Sequence, residues 1–372
     1  MSGADIGFLQ RSYLTELFQV LRNQDYKVIG PTLSDGTIVY KPLQSTDELP
    51  HGWRDQQAPG RYRLIETTDE AQAERNFAWA NGPQTLKPYL FAPHEVIWQA
   101  TKQPDGSLRF NEPVLPDQKL AFIGVRSCDL AALKLQDQHF LHGQYHDPYY
   151  AARRKGLLII AVNCSHPADT CFCSSTGDGP HADNGYDLCL TELDNGFLIT
   201  SGSTTGQQLF QQLPLRKAKD LELHQQLQQQ LQASQQQRKL PNLAIKDLLA
   251  NRRDHPRWDD IAERCLACGN CTQVCPTCFC HKESDLASLD ATQSDHIREW
   301  ASCFSEGHGY MAGHQARPEI KHRYQQWMIH KMSSWHDQYG RSGCTGCGRC
   351  TTWCPAAIDF PLEVAEICGG DE

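Results

Sequence analysis

The sequence predicts a multidomain fold in which an N-terminal α/β domain precedes a C-terminal α+β domain that is organised around cysteines and interrupted by a long insert. Apolar runs of strand length alternate with helical patterns up to about residue 205. A glutamine-rich stretch follows, and twelve of the 17 cysteines then fall after residue 254. We therefore expect domains at 1–205 and 255–372, joined by a helical linker at 206–254.

Composition and charge exclude several classes of function. The chain has 21% charged and 40% hydrophobic residues and a net charge of −9, which is typical of a soluble globular protein and unfavourable for binding nucleic acid. Its first residues do not have the pattern of a signal peptide, and no apolar run approaches the ~18 residues of a membrane span. We expect a cytoplasmic protein, whose reduced thiols serve as metal ligands and not as disulfides.

The N-terminal domain is expected to begin with an amphipathic helix, because apolar residues recur at helical spacing from Phe8 to Leu21. Another helix is predicted at 129–141. The predicted strands are YKVIG (26–30), TIVYK (37–41), RYRLIE (61–66), LAFIGV (120–125), GLLIIAV (156–162) and DLCLTEL (187–193).

The linker is rich in glutamine, with thirteen of them between Gln207 and Arg238. Leu223, Leu227 and Leu231 recur every four residues inside this stretch. This spacing predicts an exposed helix and not a disordered segment.

Two four-cysteine runs carry the strongest signal. Cys265-x2-Cys268-x2-Cys271-x3-Cys275-Pro is repeated as Cys344-x2-Cys347-x2-Cys350-x3-Cys354-Pro. This is the run of bacterial two-cluster ferredoxins, in which three closely spaced thiolates bind one [4Fe-4S] cluster and the fourth binds the other. The spacing therefore predicts two clusters with exchanged ligands. The expected ligands are Cys265, Cys268, Cys271 and Cys354 for the first cluster and Cys344, Cys347, Cys350 and Cys275 for the second.

Zinc is the alternative metal for a set of four thiolates. It is usually bound by two CxxC pairs, so the third cysteine at the same interval in each run disfavours zinc. The insert of 68 residues, 276–343, leaves other cysteines without a fixed role. Cys278 and Cys280 either pack beside a cluster or bind an extra metal, and the role of Cys303 stays open. The basic residues of the insert are expected on its surface, as a docking face for an acidic partner; they are Arg317, Lys321, Arg323 and Lys331.

A third group of cysteines is predicted in the N-terminal domain. Cys128 and Cys164 each follow an apolar run, and the helix between the runs makes a βαβ unit with parallel strands. Both cysteines then lie at the carboxyl edge of the sheet, where open α/β sheets place ligands. Cys171 and Cys173 follow closely enough to fold back over Cys164. The four thiols are candidates for a third [4Fe-4S] cluster; packing thiols and zinc are the alternatives.

Several other features near this group carry weaker signals. Asp129, His166 and Asp169 are polar candidates for the same site. Cys189 and Cys368 have no partners at ligand spacing and are expected to be structural. The glycine-rich segment TGDGP at 176–180 lacks the spacing of a nucleotide-binding loop and is expected to form a turn.

With these motifs, the sequence resembles the iron–sulfur β subunit of soluble sulfhydrogenases, which are cytoplasmic NAD(P)-linked nickel–iron hydrogenases. In outline it is equally similar to the corresponding iron–sulfur subunit of anaerobic sulfite reductase. The resemblance covers nearly the whole chain. Its specific segments are GRYRL (60–64), VRSCDLAAL (125–133), DPYYAARRKGLLIIAVNC (147–164), TCFCSSTGDGP (170–180), CGNCTQVCPTCFC (268–280) and CTGCGRCTTWCP (344–355).

The resemblance implies an electron-transfer subunit without a catalytic centre of its own. Its partners would be a subunit that binds flavin and NAD(P) and a catalytic subunit of the nickel–iron hydrogenase type. A sirohaem sulfite reductase is the alternative partner. Two further hypotheses stay open: an enzyme that uses the N-terminal thiol site on sulfur compounds, and a regulatory or structural module.

Overall fold

A computed structural model describes residues 6–112 and 114–369. In these ranges the strands are β1 (Ile6–Gln10), β2 (Lys27–Ser34), β3 (Thr37–Pro42), β4 (Trp53–Ala58), β5 (Arg61–Glu66), β6 (His94–Lys102), β7 (Leu108–Asn111), β8 (Leu120–Val125), β9 (Leu157–Val162), β10 (Leu188–Leu193), β11 (Gly196–Ser201), β12 (Arg216–Lys217), β13 (His281–Ala287), β14 (Gln293–Trp300), β15 (Tyr310–Met311) and β16 (His314–Gln315).

The α-helices are α1 (Leu14–Asn23), α2 (Glu70–Ala73), α3 (Lys87–Leu90), α4 (Ser127–Phe140), α5 (Pro148–Lys155), α6 (Cys173–Thr176), α7 (Thr204–Phe210), α8 (Asp220–Ser234), α9 (Ile245–Asn251), α10 (Arg257–Arg264), α11 (Asn270–Gln273), α12 (Ile320–Ile329), α13 (Trp335–Tyr339), α14 (Arg349–Thr352) and α15 (Phe360–Gly369). A π-helical turn, His330–Ser334, joins α12 to α13. No helix among the described residues combines the length and hydropathy needed to cross a bilayer.

The N-terminal part is built on a mixed eight-stranded sheet with the order β12-β1-β11-β10-β9-β8-β2-β3. Its centre is parallel, since β2, β8, β9 and β10 pair in the same direction. Every residue of β8 and β9 is buried, as expected for continuous apolar runs covered on both faces. The predicted βαβ unit is therefore present, with α4 and α5 between its strands.

The predicted first helix is wrong at its beginning. Phe8 and Leu9 lie in β1, which pairs antiparallel with β11, and the helix α1 begins only at Leu14. Phe8 lies opposite Leu198, and both side chains are buried. Sheet pairing with a distant strand therefore overrides the local helical periodicity at these two residues.

A second sheet combines the N-terminal region with the insert. Its order is β13-β14-β6-β7, and β14 pairs antiparallel with β6. Across this pairing His296 stacks on Trp98 with ring centroids 4.6 Å apart. Arg298 of β14 donates to Glu95 of β6 at 2.8 Å and also pairs with Asp147. The insert is thus ordered by strand pairing with residues about 200 positions earlier in the chain.

The glutamine-rich stretch contains helix α8, on which Leu227 and Leu231 are more than half exposed. C-terminal to it, a hydrophobic core lies between helices α9, α10, α12 and α15. Trp258, Met328 and Val364 are fully buried there. Phe172 of the N-terminal part belongs to the same core, so this core spans both parts of the chain.

Candidate metal centres

The first four-cysteine run surrounds a cavity together with one cysteine of the second run. Cys265, Cys268 and Cys271 line it from one side, and Cys354 closes it. Its remaining wall is mainly apolar and includes Phe304. Burial raises the pKa of the Cys265 and Cys271 thiols, whereas Cys268 is exposed. The cavity therefore contains the four thiols that the repeat predicts as ligands, with Cys350 as a fifth cysteine in its lining, and it has one edge at the surface.

The second run surrounds a neighbouring cavity in the same manner. Cys344, Cys347 and Cys350 line it, and Cys275 of the first run completes the set. Cys344 and Cys347 are each only 9% exposed. The structure thus brings together each group of four cysteines that the repeat predicts, including the exchanged fourth member.

The two cavities are neighbours with a common wall. Trp327 and Phe360 line both, and Cys350 reaches the first cavity as well as the second. Trp327 is 3% exposed and Phe360 is 1% exposed, so these two side chains of the common wall are shielded from solvent. Electron exchange between centres in these cavities would take place through protein without intervening bulk water.

The local backbone of the two runs prepares both cavities for an anionic group. The amide of Ala267 donates to Cys265 Sγ at 3.4 Å, and the amide of Gly346 donates to Cys344 Sγ at 3.5 Å in the equivalent position. Two buried polar atoms of the walls, Trp327 Nε1 and Thr345 Oγ1, have no hydrogen-bond partner among the described residues. Free donors and four thiols fit a [4Fe-4S] cluster, whose sulfurs accept hydrogen bonds.

A buried lysine adjoins the second cavity, which corrects the prediction of an exposed basic face. Lys331 is 4% exposed, and its Nζ lies 3.4 Å from Cys275 Sγ and donates to Thr277 Oγ1 at 2.8 Å. Arg323 is also buried and donates to the carbonyls of Phe304 and Pro318. Charge alone suggests the surface, but each cation has acceptors inside the protein that the sequence does not reveal.

A second buried lysine, Lys87, lies near Cys275 and Lys331. Lys87 is 4% exposed, donates to the Gln273 carbonyl at 3.1 Å and lies 3.9 Å from the Trp300 ring centroid. Burial lowers the pKa of its ammonium to about 8. Cys278 hydrogen-bonds to Cys275 and lowers the pKa of the Cys275 thiol, an effect that burial opposes and that Lys331 reinforces.

The third predicted group lies near the ends of adjacent strands. Cys128 lies in the first turn of α4, Cys164 follows β9, and Cys173 begins α6 two residues after Cys171. Cys128, Cys171 and Cys173 are at most 5% exposed, whereas Cys164 is half-buried. Burial raises the pKa of all four thiols, and the neighbouring Cys164 raises the pKa of Cys173 further.

Amide side chains from distant segments complete this third group. Gln236, just after α8, is 5% exposed and donates from Nε2 to Cys173 Sγ at 3.1 Å. Asn81 Nδ2 donates to the Cys347 carbonyl at 2.9 Å and lies 3.9 Å from Cys171 Sγ. Sequence reasoning missed both residues, because a glutamine in a glutamine-rich stretch and a single asparagine carry no signal.

The segment TGDGP closes over the same thiols as a turn. Gly177 adopts a left-handed conformation at the end of α6, with φ 72°. Gly179 packs so tightly that an added Cβ would lie 2.9 Å from Cys173 Sγ and 2.4 Å from Ser127 Oγ. The glycines therefore allow close packing against the cysteines, in agreement with the predicted turn.

The polar candidates of the N-terminal site have other partners. Asp129 accepts two hydrogen bonds from Arg349 at 2.7 and 2.8 Å, and both side chains are 1% exposed. His166 interacts with Arg54 and Ser165, and Asp169 accepts from Gln237. Asp129 thus fastens the N-terminal part to the second four-cysteine run and is not directed at the thiols as a ligand.

The second cavity and the third group are adjacent. Cys128, Cys173 and Cys347 form one cluster of buried side chains. Cys189 lies in β10 and Cys368 in α15, and both are buried and outside the linings of the two cavities. Three groups of thiols thus follow one another from the surface at Cys268 into the N-terminal part.

Comparisons with known proteins concern the C-terminal cysteine runs and the chain as a whole. Residues 264–358 match the family of 4Fe-4S dicluster domains, which supports 4Fe-4S clusters as the cofactor. No solved structure is significantly similar to the chain. Sulfhydrogenase 2 subunit beta of Pyrococcus furiosus is 29% identical over 376 aligned positions, which cover 96% of this chain and 97% of that protein. The near-full-length match and the dicluster domain together support the sulfhydrogenase β subunit family for this chain.

Proposed function

We propose that the chain is the iron–sulfur electron-transfer subunit of a cytoplasmic hydrogenase-type complex. It would relay single electrons between a partner that binds flavin and NAD(P) and a catalytic nickel–iron partner. The observation that carries the proposal is the contiguous series of three cysteine groups, two of them in cavities with a common wall. The name of the relative, a sulfhydrogenase subunit, supports the choice of a hydrogenase.

The ligands follow from the cavity linings. One [4Fe-4S] cluster would be held by Cys265, Cys268, Cys271 and Cys354, and a second by Cys344, Cys347, Cys350 and Cys275. When bound, such clusters supply storage for one electron each at a potential that the protein sets. The chain itself needs no general base or nucleophile for this role, and the catalytic centre would lie on a partner subunit.

The two cavities differ in solvent access, since the first has an exposed cysteine and the second has two buried ones, but they share a wall. Cys268 brings the first cavity to the surface, where a partner can approach it. Trp327 and Phe360 exclude water between the cavities. Cys347 contacts Cys128 and Cys173, so the third group extends the series away from that surface.

We propose a third [4Fe-4S] cluster at Cys128, Cys164, Cys171 and Cys173. The support is a set of three buried thiols and one half-buried thiol with a free donor beside it, because Ser127 Oγ is buried and has no partner among the described residues. The Gln236 amide, which donates to Cys173 Sγ, would also stabilise a thiolate ligand.

Cysteine variants in the anaerobically purified complex test the relay. Cys354→Ala removes a ligand of the first cluster, so hydrogen-dependent NAD(P) reduction should fall by at least about 100-fold, as expected when a required redox centre is lost. Hydrogen oxidation with an artificial acceptor that reacts directly at the nickel–iron partner should persist. The matched control is Cys368→Ala, a buried cysteine outside the cavities, which should retain both activities.

Full NAD(P)-linked turnover in Cys354→Ala would contradict the relay. A complex that reduces sulfite and contains sirohaem instead of nickel would contradict the choice of a hydrogenase. Turnover of a sulfur compound by the chain without partners would favour an enzyme in its own right.

The third cluster is tested by counting iron. Three cubes give about 12 iron atoms per chain and two give about 8, since each cube contains four. Cys171→Ala should remove about four of them. Cys189→Ala, a buried cysteine in β10, should remove none, and a wild-type count near eight would contradict the third cluster.

A further inference from the structure

Three ligand atoms converge at the base of the insert, outside the three cysteine groups. They are Cys280 Sγ, Cys303 Sγ and a ring nitrogen of His308, all within 4.8 Å of one another. We infer that these side chains bind one zinc ion. This site goes beyond the electron-relay role, because its ligands are distinct from those proposed for the clusters.

The fold brings the three residues together by strand pairing and turns. Cys280 directly precedes β13, and its carbonyl accepts from the amide of Ala301 at 2.8 Å where β14 has ended. Cys303 follows two residues later. Two successive backbone hydrogen bonds, from Ser305 to Ser302 and from His308 to Ser305, then turn the chain so that the imidazole faces the thiols.

The separation of the two sulfurs fits a shared ion better than the alternatives. Cys280 Sγ and Cys303 Sγ are 3.9 Å apart. Tetrahedral zinc with Zn–S bonds of about 2.3 Å places two thiolates about 3.8 Å apart. A disulfide requires about 2.05 Å. Thiolates on different irons of a cube are separated by the distance between the metals as well, so they lie farther apart.

The donor types select the metal. Thiolate and imidazole together favour zinc over the hard divalent ions, which prefer oxygen. Cys303 is 7% exposed and His308 is half-buried, so the ion would lie at the edge of the protein interior. Three protein ligands leave one tetrahedral position for water or another small ligand.

The position of the site suggests that the ion crosslinks the insert next to the first cavity. Ser302, adjacent to Cys303, accepts from Thr272 Oγ1 at 2.8 Å. Thr272 lies between Cys271 and Cys275 on the first four-cysteine run. An ion at Cys280, Cys303 and His308 would therefore fix the two ends of the β13–β14 hairpin against that run.

Metal analysis of the anaerobically purified complex tests the site. We expect about one zinc per chain that survives competition by a chelator, with two sulfurs at about 2.3 Å and nitrogen at about 2.0–2.1 Å in zinc-edge X-ray absorption. His308→Ala should weaken zinc binding by at least about 100-fold while the iron count stays unchanged. His322→Ala, an exposed histidine on α12, is the matched control and should retain zinc.

Several results would overturn the zinc site. They are wild-type protein without zinc after growth with zinc supplied, zinc binding that His308→Ala leaves unchanged, and a Cys280–Cys303 disulfide found after anaerobic alkylation. Loss of about four iron atoms in Cys303→Ser would instead make Cys303 a cluster ligand. Because iron reports on the proposed clusters and zinc on this site, either proposal can fail alone.

Discussion

The two four-cysteine runs have the same spacing and the same local backbone, but they lie in different surroundings. Gly269 and Gly348 occupy equivalent positions before the third cysteine, with φ values of 78° and 74°. Each glycine directly precedes a helix of four residues, α11 in the first run and α14 in the second. The sequence repeat is thus a structural repeat, and it sets the ligands of both cavities alike.

The neighbours of the cysteines are where the runs differ. Leu266 in the first run is 67% exposed, whereas its counterpart Thr345 is 2% exposed. Asn270 is exposed, whereas its counterpart Arg349 is 1% exposed and pairs with Asp129 of the N-terminal part. The spacing of the cysteines therefore determines which thiols come together. Contact with the N-terminal part, such as the pairing of Arg349 with Asp129 in the second run, determines the polarity and solvent access of each cavity.

The largest difference between the runs should be in the loss of stability when the residue directly before the third cysteine is replaced. This residue is Asn270 in the first run and Arg349 in the second. Arg349→Met leaves Asp129 buried without its cation, which should cost about 3–5 kcal/mol of unfolding free energy. Asn270→Ala at the equivalent exposed position should cost less than about 0.5 kcal/mol. Denaturant unfolding of the anaerobic protein, followed with iron retention, measures both.

Equal losses in the two variants would mean that the N-terminal part does not fasten the second run. A partial rescue of Arg349→Met by Asp129→Asn would support the pair itself as the cause. Rescue is expected because the second change removes the unpaired charge.

The next difference concerns the residue before the second cysteine. Gly346 has a φ of 64° and lies so close to the N-terminal part that an added Cβ would be 2.5 Å from Cys173 Cα. Gly346→Ala should therefore cost about 2–4 kcal/mol through backbone strain and overpacking. It should also release the iron of the proposed third cluster, whose proposed ligands include Cys173.

The matched change in the first run reverses the substitution. Ala267 occupies the equivalent position with a φ of 50°. Ala267→Gly should be neutral or stabilising by a few tenths of a kcal/mol, because glycine adopts this conformation without strain. If Gly346→Ala retained full iron content and stability, that result would contradict the close contact between the second run and Cys173.

The third difference is electrostatic. Lys331 is buried 3.4 Å from Cys275, a thiol of the second cavity. Lys331→Met keeps the side-chain volume but removes the charge, so the centre in the second cavity should become harder to reduce. A unit charge at about 6 Å in a medium of effective dielectric about 20 contributes nearly 3 kcal/mol. This corresponds to a shift on the order of −100 mV for one electron.

Redox titration followed by electron paramagnetic resonance measures the shift. Lys321→Met is the control, since Lys321 is partly exposed and pairs with Asp259 at the surface. It should move neither potential by more than a small fraction of that amount. Equal shifts of both centres in Lys331→Met would contradict the assignment of Lys331 to the second cavity.

These differences also mark the limit of sequence reasoning. The apolar runs at β8 and β9 predicted two buried strands, and the rule for sheet edges predicted that Cys128 and Cys164 would lie at the same edge of the sheet. Both predictions depend on local pattern and on general topology. The structure confirms the strands, and Cys128 and Cys164 shortly follow the adjacent parallel strands β8 and β9.

What the sequence did not predict depends on partners far away in the chain. All seven residues of β13 are exposed, so hydrogen bonding to β14 and not burial defines this strand. Lys331 is buried because Cys275, Thr277 and the Gly343 carbonyl surround its ammonium. Gln236 gives no signal among the other glutamines. In each case a tertiary contact determines the position of the residue, and such a contact leaves no periodic pattern in the sequence.

The smallest effect concerns the open side of the first run. Leu266 is 67% exposed beside Cys265 and Cys268, so we expect a partner in the proposed relay to approach at this edge. If docking covers this side chain, Leu266→Glu should lower partner-dependent electron transfer about 10-fold, which corresponds to losing roughly 1.5 kcal/mol of apolar burial. Iron content and stability should not change. Leu289→Glu, at an exposed position beyond β13, is the control for added charge. Equal rates for the two variants would place the docking face away from the first cavity, and the half-buried Cys164 would then mark the side to test next.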